Sequence, residues 1–75
     1  MLNYVRKSIV EYVDVDENAI TEETHFVRDL GLNSYDFVSI VGKAEADLGI
    51  EIPDIEISGL QTAGDMAEYL KKKLE

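Results

Sequence analysis

Apolar residues return along this chain in three helical trains separated by polar stretches. Leu2, Val5, Ile9, Tyr12 and Val13 recur at three- and four-residue steps, the spacing of one amphipathic helix face. From Asp14 to about Asn33 no period is sustained. Asn18, Thr21, Thr24 and Gly31 punctuate that segment, which reads as a long ordered loop pinned to a core by Phe26, Val27 and Leu30. A connection of that length is uncommon in a compact domain and usually has a task. The period returns at Ser34: Tyr35, Val38, Val41, Ala44 and Leu48 fall on one stripe, with Phe37 and Ile40 widening it. Ser34 suits the N-cap or first turn of this helix, Asp36 favours the positive end of its dipole, and Gly49 suits its C-terminal stop. Ile50, Ile52 and Pro53 form a short extended link, and Asp54 to Leu60 give one or two helical turns. Thr62 then caps a last helix with Ala63, Met66, Ala67, Leu70 and Leu74 on its apolar stripe. No strand pattern competes and no internal repeat is present. The expected architecture is a single all-α domain spanning 1–75: three main helices and a short one packed as a bundle, with a long loop between helices 1 and 2.

Charge adds direction to this picture. Sixteen acids against seven bases give a net of −9. Residues 11–68 hold fifteen of the acids and only two bases, Arg28 and Lys43, a local balance of −13. Arg6, Lys7 and Lys71 to Lys73 lie near the ends. Nucleic acid and anionic membrane surfaces are therefore poor partners, and basic protein surfaces are good ones. The absence of cysteine excludes disulfides, thiolate metal sites and cysteine nucleophiles. No apolar run approaches the roughly 18 residues of a membrane span, and the first residues lack the continuous apolar stretch of a signal peptide. The expectation is a soluble, cytoplasmic, monomeric protein.

Candidate chemistry is sparse. Asp14, Asp16 and Asn18 alternate as in a calcium loop, but the sixth position is Ala19 instead of Gly and the twelfth is His25 instead of Glu, so no metal site is expected. His25 is the sole histidine and has no nucleophile placed beside it by spacing; packing within the loop is its simpler role. Tyr4, Tyr12, Tyr35 and Tyr69 read as amphipathic packing at the core's edge. The acids are too dispersed to nominate a catalytic pair, and no enzyme activity is expected.

What stands out is Asp29-Leu30-Gly31-Leu32-Asn33-Ser34 leading directly into the second helix, followed by Gly49-Ile50-Glu51-Ile52-Pro53-Asp54 at its end. This pattern resembles the acyl carrier protein family, which places a D-S-L after a D-L-G-x start and closes its second helix with an I-x-I-P-D link. Thr24-His25-Phe26 and Thr62-Ala63-Gly64-Asp65 also match the family's packed loop and last-helix start, so the resemblance covers nearly the whole chain. It implies that Ser34 carries 4'-phosphopantetheine, donated by coenzyme A through a phosphopantetheinyl transferase with Mg²⁺, and bears acyl thioesters for fatty-acid, polyketide or related enzymes. A serine at a helix start agrees with this, because the helix's positive end favours the incoming phosphate.

On that reading Asn33, Tyr35, Asp36, Ser39, Glu45 and Asp47 face the partner enzymes, whose surfaces would be basic. Val5, Ile9, Phe26, Val38, Val41 and Met66 line the bundle interior as core, with sheltering of an acyl chain a secondary role. The chain also departs from the family: Asn33 replaces an Asp, Tyr35 a Leu, Ser39 a Glu and Gly42 a bulkier apolar residue, while Lys43 adds a positive charge. These changes thin the acidic face and point to a specialised pathway. Two alternatives stay open. An aminoacyl or peptidyl carrier shares the serine and fold but usually has a G-G-x-S lead-in. An acidic helical adaptor without a prosthetic group would tolerate loss of Ser34.

Overall fold

The computed structural model describes all of residues 1–75 and contains four α-helices: α1 (Leu2–Val10), α2 (Ser34–Leu48), α3 (Asp54–Ile57) and α4 (Ala63–Leu74). A 3-10 turn at Glu17–Ala19 interrupts the long α1–α2 connection. None of the helices is long and apolar enough to cross a membrane. The all-α expectation holds, and α1 packs against both α4 and α2.

Helix ends fall where short-range chemistry sets them. Asn33 caps α2, its side chain accepting the Asp36 N–H at 2.7 Å, so Ser34 is the first helical residue. Gly49 stops α2 in the left-handed region at φ 66°, a conformation that disfavours side chains with a Cβ. Thr62 caps α4 within a capping box closed by Asp65.

The core draws on every segment. Val5 and Ile9 of α1, Ile40, Val41 and Ala44 of α2, and Ala63, Met66, Ala67 and Leu70 of α4 are buried. Ile20, Phe26 and Leu32 bring the long loop into it, and Ile52 and Leu60 bring in the segments flanking α3. Three expectations need correction. Val38 is 60% exposed instead of lining the interior, and Tyr35 is 81% exposed. The buried stripe of α2 is Phe37, Ile40, Val41, Ala44 and Leu48, which sets Tyr35 and Val38 on the opposite side of a 3.6-residue helix. Val27, at 64% exposure, does not pin the loop; Ile20 and Leu32 do so beside Phe26. Tyr12 lies beyond the end of α1 and is exposed.

The loop is tied to the start of α4. Phe26 N–H donates to the Gln61 carbonyl at 2.9 Å; Ala63 N–H and Gly64 N–H donate to the Thr24 and Glu22 carbonyls, each at 2.9 Å. The approach is so close that a Cβ on Gly64 would meet the Glu22 carbonyl oxygen at 2.7 Å and its Cβ at 2.9 Å.

Polar ties join the helices at the edges. On the α1–α2 side, Asp47 accepts from Lys43 Nζ at 2.6 Å and from the Tyr4 hydroxyl at 2.7 Å. Lys43 lies 5.5 Å from the Tyr4 ring centroid and 3.8 Å from the Glu11 carboxylate. The Lys43 hydrogen bond, and then that of Tyr4, hold the Asp47 carboxyl below its usual range. On the α3–α4 side, the Tyr69 hydroxyl donates to Glu56, with Lys73 Nζ 3.6 Å from the same carboxylate. Burial, and then the Glu56 bond, push the Tyr69 phenol up to about 12. A four-residue helix such as α3 has no independent stability, so this tie to α4 helps hold it in place.

Two outcomes follow. Gly64→Ala should destabilise the fold by about 1–3 kcal/mol, the usual cost of overpacking against backbone, measured as a lower urea midpoint. Tyr69 has a folded pKa above its unfolded value near 10, so its contribution is complete below pH 10 and fades as pH rises towards 12. The melting-temperature advantage of the parent over Tyr69→Phe should therefore be constant between pH 7 and 9 and shrink above pH 10; an advantage that grows there would contradict the assignment.

Candidate functional site

Ser34 opens α2 and is exposed. Its hydroxyl makes no hydrogen bond within the protein, and neither its own N–H nor that of Tyr35 finds a backbone acceptor. These are the orphan donors of a helix start. The Asn33 cap occupies the Asp36 N–H and leaves the other two for a group attached at the serine.

Beside Ser34 lies a cleft of about 600 Å³. The long loop contributes Phe26, Val27 and Leu32, α2 contributes Phe37, and the α3 region contributes Ile57 and Leu60. His25, Asn33, Ser58 and Gln61 supply its polar groups. The Phe26 and Phe37 rings sit 5.1 Å apart and tilted by 56°, which fixes the loop against the first turns of α2. Leu32 and Phe37 flank the cap at the N′ and N4 positions of a hydrophobic staple, so they set the angle at which the chain enters α2.

Of the residues expected to form an acyl-chain cavity, only Phe26 borders this cleft. Val5, Ile9, Val41 and Met66 are buried in the core, and Val38 faces outward. Sequence periodicity finds the core, whereas the cleft arises where the loop, α2 and α3 meet. The staple pair Leu32 and Phe37 was the available signal for it; Ile57 and Leu60 carried none.

The expected partner-facing residues separate into two groups. Asn33 and Tyr35 are exposed beside Ser34, and Asp36 and Ser39 are half-buried. Glu45 and Asp47 are occupied within the protein. Glu45 accepts the Ile52 N–H at 2.9 Å and so orders the link after α2, and Asp47 belongs to the Tyr4–Lys43 cluster. The outward face of α2 presents Tyr35, Val38, Gly42 and Ala46 instead of a row of acids.

His25, expected to pack within the loop, also caps one of its turns. Its Nδ1 accepts the Val27 and Arg28 N–H groups at 3.2 and 3.1 Å, while Asp29 accepts the His25 N–H at 2.8 Å. This reciprocal cap shapes the turn that carries Phe26 inward. Histidine is an uncommon choice for a cap, so propensity gave no hint of it.

Comparison with known proteins agrees with this geometry. A family described as "Phosphopantetheine attachment site" matches residues 3–70. The acyl carrier protein of Phenylobacterium zucineum is 38% identical over 74 residues, covering 99% of this chain and 94% of that one. The acyl carrier protein of Caulobacter vibrioides is 38% identical over 73 residues, covering 97% and 94%. The solved acyl carrier protein of Enterococcus faecalis superposes with a TM-score of 0.84 at 25% identity, covering 96% of this chain and 91% of that one. A helical bundle with a free serine opening its second helix, matched along nearly its whole length by these relatives, belongs to the acyl carrier protein family, whose cofactor is 4'-phosphopantetheine.

Proposed function

We propose that Ser34 is the attachment point of the arm and that the chain is a non-catalytic cytoplasmic shuttle for acyl groups. The observation that carries this reading is the exposed, unbonded Ser34 hydroxyl at the mouth of an apolar cleft. The residues present fit the group. The free N–H groups of Ser34 and Tyr35 and the positive end of α2 suit a phosphate, and no carboxylate shares the cleft with Ser34. When bound, the arm supplies a terminal thiol that holds cargo as a thioester. Phe26, Leu32, Phe37, Ile57 and Leu60 offer a saturated chain a surface to lie against. No base near Ser34 is required, because the transferase activates the hydroxyl.

Partner enzymes meet α2 beside the arm. Tyr35, Val38, Gly42 and Ala46 form the centre of that contact, with Asn33, Asp36 and Ser39 at its edge. Glu45 and Asp47 are held by the fold and contribute chiefly to the surrounding negative field. Such a field speeds encounter with basic surfaces more than it tightens the complex.

Intact-mass measurement after incubation with coenzyme A, Mg²⁺ and a broad-specificity phosphopantetheinyl transferase tests the attachment. The parent should gain one phosphopantetheine and Ser34→Ala none, while both keep the same circular dichroism; a gain in Ser34→Ala would refute the assignment. In the same reaction, Tyr35→Ala should lower kcat/KM about tenfold, the loss of one aromatic contact, and Asp47→Asn less than about twofold. The reverse ranking would return the contact to the acids.

A further inference from the structure

We propose that the Nε2–H of His25 donates a hydrogen bond to a carbonyl oxygen of the arm or its cargo, in the cleft beside Ser34. The proposal rests on Ser34 being the attachment point. His25 is fixed at both its backbone and its ring. Its N–H donates to Asp29, and its carbonyl accepts the Asp29 and Leu30 N–H groups at 3.0 and 3.2 Å. It also forms an isolated antiparallel bridge with Thr62. With Nδ1 accepting two backbone N–H groups, the neutral ring must carry its proton on Nε2.

That Nε2–H has no acceptor within the protein, and it remains open to solvent because no buried polar side-chain atom lacks a partner. His25 lines the cleft with Ser34. The other polar groups there are committed or free to turn. Asn33 Oδ1 holds the Asp36 N–H, the Ser58 hydroxyl donates to the Ile55 carbonyl at 3.3 Å, and the Gln61 side chain makes no bond within the protein. The Asn33 amide N–H, oriented by its cap, is thus one donor on the cleft whose position is set in advance, and the His25 Nε2–H is the other. A purely hydrocarbon cargo pressed over it would strip its water and return nothing, whereas a carbonyl oxygen would satisfy it. Either the arm, through its amide groups, or the cargo, through its thioester carbonyl or a chain oxygen such as that of a 3-oxoacyl group, supplies that oxygen.

The sole histidine gives a single imidazole signal, so ¹⁵N NMR reads the site directly. Spectra at one neutral pH are compared for the apo chain, the chain bearing the arm alone, and chains bearing octanoyl or 3-oxooctanoyl groups. The expected result is a shifted Nε2 signal, with its proton exchanging at least about tenfold more slowly with water. If this begins with the arm alone, the acceptor is an amide of the arm; if it begins with octanoyl, it is the thioester carbonyl; if it begins only with 3-oxooctanoyl, it is the oxo group of the chain. An unchanged imidazole in every loaded form overturns the proposal.

His25→Asn supplies the second measurement. Asn keeps a capping acceptor but has no group at the Nε2 position, so its apo melting temperature should stay nearer the parent's than that of His25→Ala. Loading with the form that shifts the imidazole should raise the melting temperature of His25→Asn less than that of the parent; an equal rise overturns the proposal. A chain that takes no arm sinks the carrier reading and this one together. A chain loaded at Ser34 with a silent imidazole sinks this one alone.

Discussion

The clip between the long loop and the start of α4 is the constraint on which the site depends. A helix start leaves backbone N–H groups without partners, and a connection running from residue 11 to residue 33 leaves carbonyls in the same condition. Here each answers the other: Ala63 and Gly64 donate to Thr24 and Glu22, while Phe26 donates back to Gln61. Ordering such a loop costs roughly 1–2 kcal/mol of backbone entropy per residue, which a few surface contacts would not offset. Burial of Ile20, Phe26 and Leu32 in the common core does much of the offsetting. Gly64 is required because the two backbones approach too closely for a Cβ.

From that clip the functional geometry follows. Phe26 is carried inward by the turn that His25 and Asp29 cap, and its ring meets Phe37 on the first turns of α2. The cleft is the space left between this aromatic pair and α3, and Ser34 stands at its edge because Asn33, not the serine, takes the capping duty. Had Ser34 been the cap, its hydroxyl would be engaged with backbone and less available for modification. The Asn in place of the family's Asp keeps the hydrogen bond of a cap while giving up the charge that would favour the helix's positive end.

Much of this was legible in the sequence, since capping and stopping residues act over a few positions. Gly49, Thr62 and the order of helices follow from such local chemistry. The phase of α2 was misread because Tyr35 and Val38 are apolar enough to extend a stripe in either direction. Only the packing of Phe37 and Ile40 against the core shows which face turns inward. Ile20 was missed as a lone apolar residue in a polar stretch. The cleft was missed for a different reason: its walls come from three segments that meet only in the fold, and no periodicity links Leu32 to Ile57.

Electrostatics and contact chemistry are divided between different parts of the surface. Among the acids, Asp47, Glu45, Glu56 and Asp65 each hold an internal donor, so their carboxylates are fixed and partly spent. Their charge still adds to a net of −9, whose field reaches about 8 Å at physiological salt and steers basic surfaces from a distance. At contact, a partner approaching the arm meets Tyr35, Val38, Gly42 and Ala46, with Ile55 of α3 85% exposed as a further apolar group. A shuttle arranged this way would be drawn in by charge and sorted by shape. Salt should then alter how fast partners arrive more than which partners are accepted, because discrimination rests on a short apolar patch that ions do not screen.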